Sequence, residues 1–377
     1  MTRRERLLAT LAGKPVDRPP VCFYELNGLD EDPKSKDPYH IFTHPSWLPL
    51  IELTQNRSDR IVMRSPTFGR STPDPIEEAT TLSVQETDSY RLSRRQICIG
   101  KRCLSAMTRQ DRDLNTLWHI ERLLKNRSDA LLWLELPADE AEFVAQTSPI
   151  LTTEQTLGDS GIVMLDTPDP LCLAAELFDF ADYVVFAVEE TQLFHRLLER
   201  VAEPTYRQVE AACLALPGRL WRIYGPEYAG APYLPPALFH DFVCRYDHRI
   251  IETIQRSGGY ARIHAHGRLQ GILPHLEELQ IDALDPIEPP PQGDIELSTV
   301  RRRYGDRWVL FGNIEISDLE NQDQIEFHRT VQRSLQEGLC CPGKGFVLMP
   351  SACPYGRELS ANTLANYNLL IECAENF

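Results

Sequence analysis

Tyr260-Ala-Arg-Ile-His-Ala-His-Gly-Arg268 sets two imidazoles two residues apart where an apolar run ends. Along a strand, side chains alternate faces with a period of two, so His264 and His266 point the same way and Ala265 points oppositely. That is the spacing of two ligands sharing one metal ion, and equally of paired loop or core histidines bonded to their neighbours. A metal needs a third donor. Cys353, in Gly345-Phe-Val-Leu-Met-Pro-Ser-Ala-Cys-Pro-Tyr355, also sits just past a short apolar run that reads as a buried strand. In a parallel barrel every strand delivers its C-terminal end to one mouth, where residues distant in sequence converge. His264, His266 and Cys353 then read as an open zinc site, with a fourth position for water or substrate.

Outward from this stretch, strands are expected near 21–24, 60–64, 161–166, 219–224, 260–264, 281–285, 308–313 and 345–349. Helical periodicity separates them at 47–54, 171–178, 194–212, 238–257, 272–279, 298–304 and 322–337, with Pro204 expected to kink or split its helix. Segments 117–125 and 141–146 also read as helices, His119 being an exposed residue of the first. Strands alternating with helices imply parallel βαβ units, and a count close to eight gives a (β/α)8 TIM barrel. The stretch 69–116 breaks the rhythm and reads as a β-rich excursion within a single domain spanning 1–377.

With 377 residues, 42% of them hydrophobic, the chain can bury a substantial core. A net charge of −16 argues against binding to a nucleic-acid backbone, which clustered Lys and Arg would have to meet. The ten cysteines form no regular framework, and the opening Met-Thr-Arg-Arg-Glu-Arg-Leu-Leu reads as a short capped helix rather than a leader. No apolar run approaches the roughly 20 residues that span a bilayer. The expectation is a cytoplasmic protein away from membranes, its cysteines mostly reduced and its oligomeric state unspecified by the sequence.

Several stretches resemble the uroporphyrinogen decarboxylase superfamily, especially its zinc-dependent, corrinoid-linked methyltransferase branch. They are Arg6-Leu-Leu-Ala-Thr-Leu-Ala-Gly-Lys-Pro-Val-Asp-Arg-Pro-Pro-Val21, Gly225-Pro-Glu-Tyr with Leu234-Pro-Pro, His264-Ala-His-Gly, Glu288-Pro-Pro-Pro-Gln-Gly-Asp, Gly305-Asp-Arg-Trp-Val-Leu-Phe-Gly-Asn-Ile314, Ala352-Cys-Pro and Asn362. The resemblance implies a (β/α)8 barrel with an N-terminal elaboration. It also implies a His-x-Cys…Cys zinc motif, which falls on His264, His266 and Cys353 with an imidazole in place of the middle thiolate. That exchange removes one negative charge, making zinc a stronger Lewis acid and a bound thiolate a weaker nucleophile. The arginine-rich motif of the decarboxylase branch is missing, since the matching region reads Cys22-Phe-Tyr-Glu-Leu-Asn-Gly. Glu25 there would repel a tetrapyrrole bearing many carboxylates.

The function implied is methyl transfer from a separate corrinoid protein or a small methylated compound to a zinc-bound acceptor. The alternatives are a cofactor-independent decarboxylase acting on a smaller acid, and a noncatalytic binding protein on the same barrel. Glu227 reads as a fourth ligand, a general base or a solvated loop carboxylate, and His275 as a reserve ligand. Tyr24, Glu25, Asp166 and Asn313 are the candidate substrate contacts, with Tyr228 also near the mouth. Helix capping is the plain alternative for the two carboxylates, and turn formation for Asn313.

Overall fold

The computed structural model describes residues 1–377. Seven parallel strands form one curled sheet: β1 (Arg60–Arg64), β2 (Gly161–Pro168), β3 (Leu220–Tyr224), β4 (Tyr260–Ala265), β5 (Ala283–Pro286), β6 (Val309–Ile314) and β7 (Phe346–Pro350). They lie side by side in chain order with helical crossovers between them, apart from the long insertion between β1 and β2. The expected strand at 21–24 shrinks to a single parallel bridge, Val21 to Leu348. The segment nevertheless bonds to both edges of the sheet. Cys22 donates to the Leu348 carbonyl at 3.0 Å, Leu348 to that of Pro20 at 2.9 Å, and Asp59 to that of Val21 at 2.7 Å.

Alternation along the strands divides the core in two. Ile61, Ile162, Met164, Leu220, Ala283, Val309, Phe311, Val347 and Met349 fill the inside of the curl, joined by Leu7 and Leu11 of the N-terminal helix Arg3–Leu11. Val163, Leu165, Trp221, Ile223, Ile263, Leu284, Leu310 and Leu348 face the helices outside. One fully buried cation, Arg262, enters the apolar interior. Arg262, 1% exposed, lies 4.3 Å from the Phe311 ring centroid and pairs with Asp285. Gly312, at φ +140°, permits the approach of β5 to β6, because a Cβ there would stand 2.0 Å from the Pro286 carbonyl oxygen.

The antiparallel sheet runs through Thr80–Glu86, Tyr90–Ile99, Arg102–Asp111 and Leu117–Glu121. Its last strand corrects the helix expected at 117–125. Leu117, Trp118 and Ile120 are exposed, while Leu123 and Leu124 join the main core, so the apparent helical stripe is split between two environments. The helix expected at 141–146 is the short strand Phe143–Ala145, paired antiparallel with Phe68–Arg70. The long helix Thr191–Ala215 runs unbroken through Pro204, held by a buried seam that includes Leu197, Leu198, Tyr206 and Val209. Helices Ser148–Leu157, Phe180–Glu189 and Ala361–Glu375 lie outside the expected set. Cys98 and Cys103 form a disulfide across a hairpin, and the other eight cysteines are free. No helix is long and apolar enough to cross a membrane.

Three buried carboxylates mark where this architecture is held and where it is taxed. Asp59, fully buried, accepts from Arg6 at 2.6 Å, Arg18 at 2.7 Å and the Val21 backbone at 2.8 Å, tying the first segment to the foot of β1. Asp59→Ala would leave Arg18 without a carboxylate and the Val21 backbone without its acceptor, with Arg6 keeping only Asp17, and is expected to cost about 3–5 kcal/mol, read by urea denaturation. A loss below 1 kcal/mol would show that the seam contributes little. Asp247 is fully buried with no partner for either oxygen, and the nearby Asp169, also fully buried, has one unpartnered oxygen. Burial pushes both carboxyls upward, and the charge of Asp247 pushes Asp169 further. A carboxyl raised on folding contributes most below its unfolded value, about pH 4, and loses that contribution as pH rises toward the folded value. Asp247→Asn is therefore expected to stabilise the protein at pH 7 by about 1–3 kcal/mol, with the gain fading toward pH 4. Equal destabilisation at both pH values would contradict this account.

Candidate functional site

The C-terminal ends of β2 to β5 deliver a connected polar chain. Asp166 and Arg222 stand opposite each other in the β2–β3 register and form a two-pronged ion pair at 2.7 and 3.0 Å. The remaining terminal nitrogen of Arg222 donates to the Tyr24 hydroxyl at 2.5 Å. That hydroxyl lies 3.2 Å from Nε2 of His264, whose Nδ1 is 2.7 Å from Asp285. Arg262 holds the other oxygen of Asp285.

This chain sets its own protonation. Burial would raise the Asp285 carboxyl, but Arg262 and His264 outweigh it and hold the group well below the usual carboxylate range. Asp285 therefore accepts a proton-bearing Nδ1 from His264, leaving Nε2 to receive the Tyr24 hydroxyl. Burial raises the Tyr24 phenol well above its ordinary value despite Arg222, so the group stays neutral.

His266 follows the end of β4 and forms a second carboxylate pair. Its Nδ1 is 2.7 Å from Glu288, whose other oxygen accepts from the Gly267 backbone at 2.6 Å. The two imidazole rings meet edge to face with centroids 4.6 Å apart. Burial opposes the charged form of His266, but the bond and charge of Glu288, with Glu227 and Asp285 behind it, raise its pKa.

The remaining candidates divide. Glu227, half-buried in the turn after β3, accepts from the Gly225 backbone at 3.1 Å. Tyr228 donates to Glu176 at 3.2 Å. Asn313 is turned away from the histidines, its carbonyl accepting from Ser334 on the outer helix Gln324–Gly338 at 2.8 Å. His275 lies on the short helix Leu273–Glu278 and stacks on Phe239. Cys353 is buried and donates its thiol to Glu25 at 3.1 Å; burial and then that carboxylate push the thiol well above its ordinary value.

The two histidines suit metal ligation, since each commits one ring nitrogen to a carboxylate. The full donor set of His264, His266 and Cys353 does not fit, because the thiol is held protonated on Glu25 and His264 Nε2 is taken up by Tyr24. No three His, Cys, Asp or Glu side chains are gathered closely enough to hold an ion.

Sequence reasoning passed over Arg222, Arg262, Asp285, Glu288 and Glu315. Arg222 and Arg262 carried a signal as charges inside apolar strands. The three acids carried another, since each sits at or just past a strand end, as His264 and His266 do.

Residues 134–359, more than half of the chain, match the family model described as uroporphyrinogen decarboxylase (URO-D). No curated protein matches the sequence at a significant level. Among solved structures, a methyltransferase from Methanosarcina mazei is similar over 100% of this chain and 99% of its own, with a TM-score of 0.61 at 15% identity, a likeness of fold. A D-psicose 3-epimerase solved in the presence of D-fructose is similar over 61% of this chain and 81% of its own, with a TM-score of 0.35 at 12% identity, too loose a likeness to bear on function. With more than half its length matched by the family model, the chain belongs to the uroporphyrinogen decarboxylase (URO-D) family.

Proposed function

We propose that this protein is a methyltransferase whose reaction takes place at the mouth of a (β/α)8 barrel, with Pro20–Cys22 as a reduced first strand. The observation that carries the reading is the pair of imidazoles from one strand, each with Nδ1 fixed on its own carboxylate. Such fixing directs Nε2 toward a reactant, and the carboxylate stabilises the imidazolium that forms when Nε2 takes a proton. His264 already receives Tyr24 there, so His266 is the base.

The step balances without further groups. A lone pair of the acceptor forms a bond to the methyl carbon as the methyl–donor bond breaks, its electron pair staying on the donor. The acceptor proton passes to Nε2 of His266, and Glu288 and Glu227 hold the resulting charge. Tyr24, fixed by Arg222 and His264, positions the acceptor. Decarboxylation of a substrate rich in carboxylates is less well supported, because Arg222 and Arg262 are committed to Asp166 and Asp285. Zinc on His264, His266 and Cys353 would require Cys353 to leave Glu25 and His264 to leave Tyr24, so no step is assigned to it.

Methyl transfer is tested with methylated corrinoid protein, sulfonium and quaternary ammonium donors against thiol and amine acceptors. His266→Ala is expected to lower kcat by about 10²–10⁴-fold, the usual range for a general base. Glu288→Gln should follow it in part, and Tyr24→Phe should weaken acceptor binding more than turnover. No transfer from any donor, or a full rate in His266→Ala, would overturn the proposal. Metal analysis accompanies the assay. Stoichiometric zinc lost from each of His264→Ala, His266→Ala and Cys353→Ala would replace the base reading with the three-ligand one.

A further inference from the structure

Four neighbouring strands, β3 to β6, are each followed by a charged or proton-binding group: Glu227, His266, Glu288 and Glu315. Parallel strands open at the same end, so these groups share one end of the sheet. Both oxygens of Glu288 are occupied, by His266 and the Gly267 backbone. Glu315 differs. It is 8% exposed, its Oε2 has no hydrogen-bond partner, and no arginine or lysine pairs with it. Its charged surroundings include Glu288, which repels it, and His266, already tied to Glu288. The two arginines that line the interior are neutralised by Asp166 and Asp285. A buried carboxylate with an unpartnered oxygen and no counter-charge is costly to keep ionised, and an occupant bringing a positive charge removes that cost.

We infer that the substrate seated at this mouth is a small organic onium cation, its charge carried by a methylated nitrogen or sulfur and met by Glu315, Glu288 and Glu227. The inference rests on the reading of this mouth as a site of methyl transfer and names the donor class for it. A bare metal ion would demand short bonds to several donors at once, whereas no three donors are gathered closely enough. A quaternary ammonium or sulfonium spreads its charge over a methylated surface and suits carboxylates arranged at longer range. The chemistry follows from the charge. The acceptor's lone pair forms a bond to one methyl carbon, the carbon–nitrogen or carbon–sulfur bond breaks, and its pair remains on the heteroatom, which leaves neutral. The departing amine or sulfide no longer attracts Glu315, and this favours its release.

Isothermal titration calorimetry with tetramethylammonium chloride and trimethylsulfonium chloride, set against tert-butanol, sodium pivalate and potassium chloride, tests this on the whole chain. At least one onium probe is expected to bind about tenfold or more tightly than tert-butanol, with pivalate weakest. The tighter of the two assigns nitrogen or sulfur. Glu315→Gln should abolish the preference while keeping the wild-type circular dichroism, and Glu227→Gln should reduce it. Equal binding of onium probes and tert-butanol, an unchanged preference in a folded Glu315→Gln, or displacement of the onium by equimolar potassium would each overturn the inference. Methyl transfer from neutral donors without onium binding would remove this inference and leave the methyltransferase reading standing. Onium binding without transfer from any donor would leave a cation site and remove that reading.

Discussion

The interaction on which the site depends is the ion pair of Arg262 with Asp285 inside the curled sheet. Both groups are almost fully shielded from water, among Met164, Phe311 and Met349. Two charges in such a place are tolerated only as a pair with their remaining hydrogen-bonding capacity used. Asp285 uses its second oxygen on His264. The ion pair thus selects the tautomer of the imidazole, and the imidazole in turn orients the Tyr24 hydroxyl.

From that anchor the polar chain extends across the sheet to Arg222 and Asp166 on β3 and β2. The links come from β2, β3, β4, β5 and the first segment, so the register of the parallel ladder determines whether the chain closes. The opposed positions of Asp166 and Arg222, and of His264 and Asp285, are register pairs. A shift of one residue would turn these side chains to the helix-covered face. Seating of the first segment matters for the same reason, because Tyr24 reaches His264 only while Pro20–Cys22 is held between the sheet edges and Asp59 binds Arg6 and Arg18.

Sequence reasoning failed where a pattern was shared between two environments. Residues 117–125 show apolar positions at helical spacing, yet some lie exposed on an antiparallel strand and others belong to the main core. Periodicity records which residues are apolar and says nothing of whether they share a partner. Pro204 misled in the opposite direction: its missing donor costs one hydrogen bond, which the buried seam of the long helix outweighs. Asn313 was singled out for its place at a strand end, but Ser334 on the outer helix claims its side chain.

The sequence by itself determined the alternation of strands and helices and the close pairing of His264 with His266, because these rest on local periodicity and spacing within one segment; the family showed as a resemblance in motifs spread along the chain. The sequence also placed Asp166 and Glu227 at or just past strand ends. The tertiary structure alone decided which groups those residues meet. Cys353 met Glu25 rather than the histidines, and each histidine met a carboxylate from the following strand segment. Hydrogen-bond partners on neighbouring strands are set by register and burial across the sheet, and neither is encoded in the spacing of any one stretch.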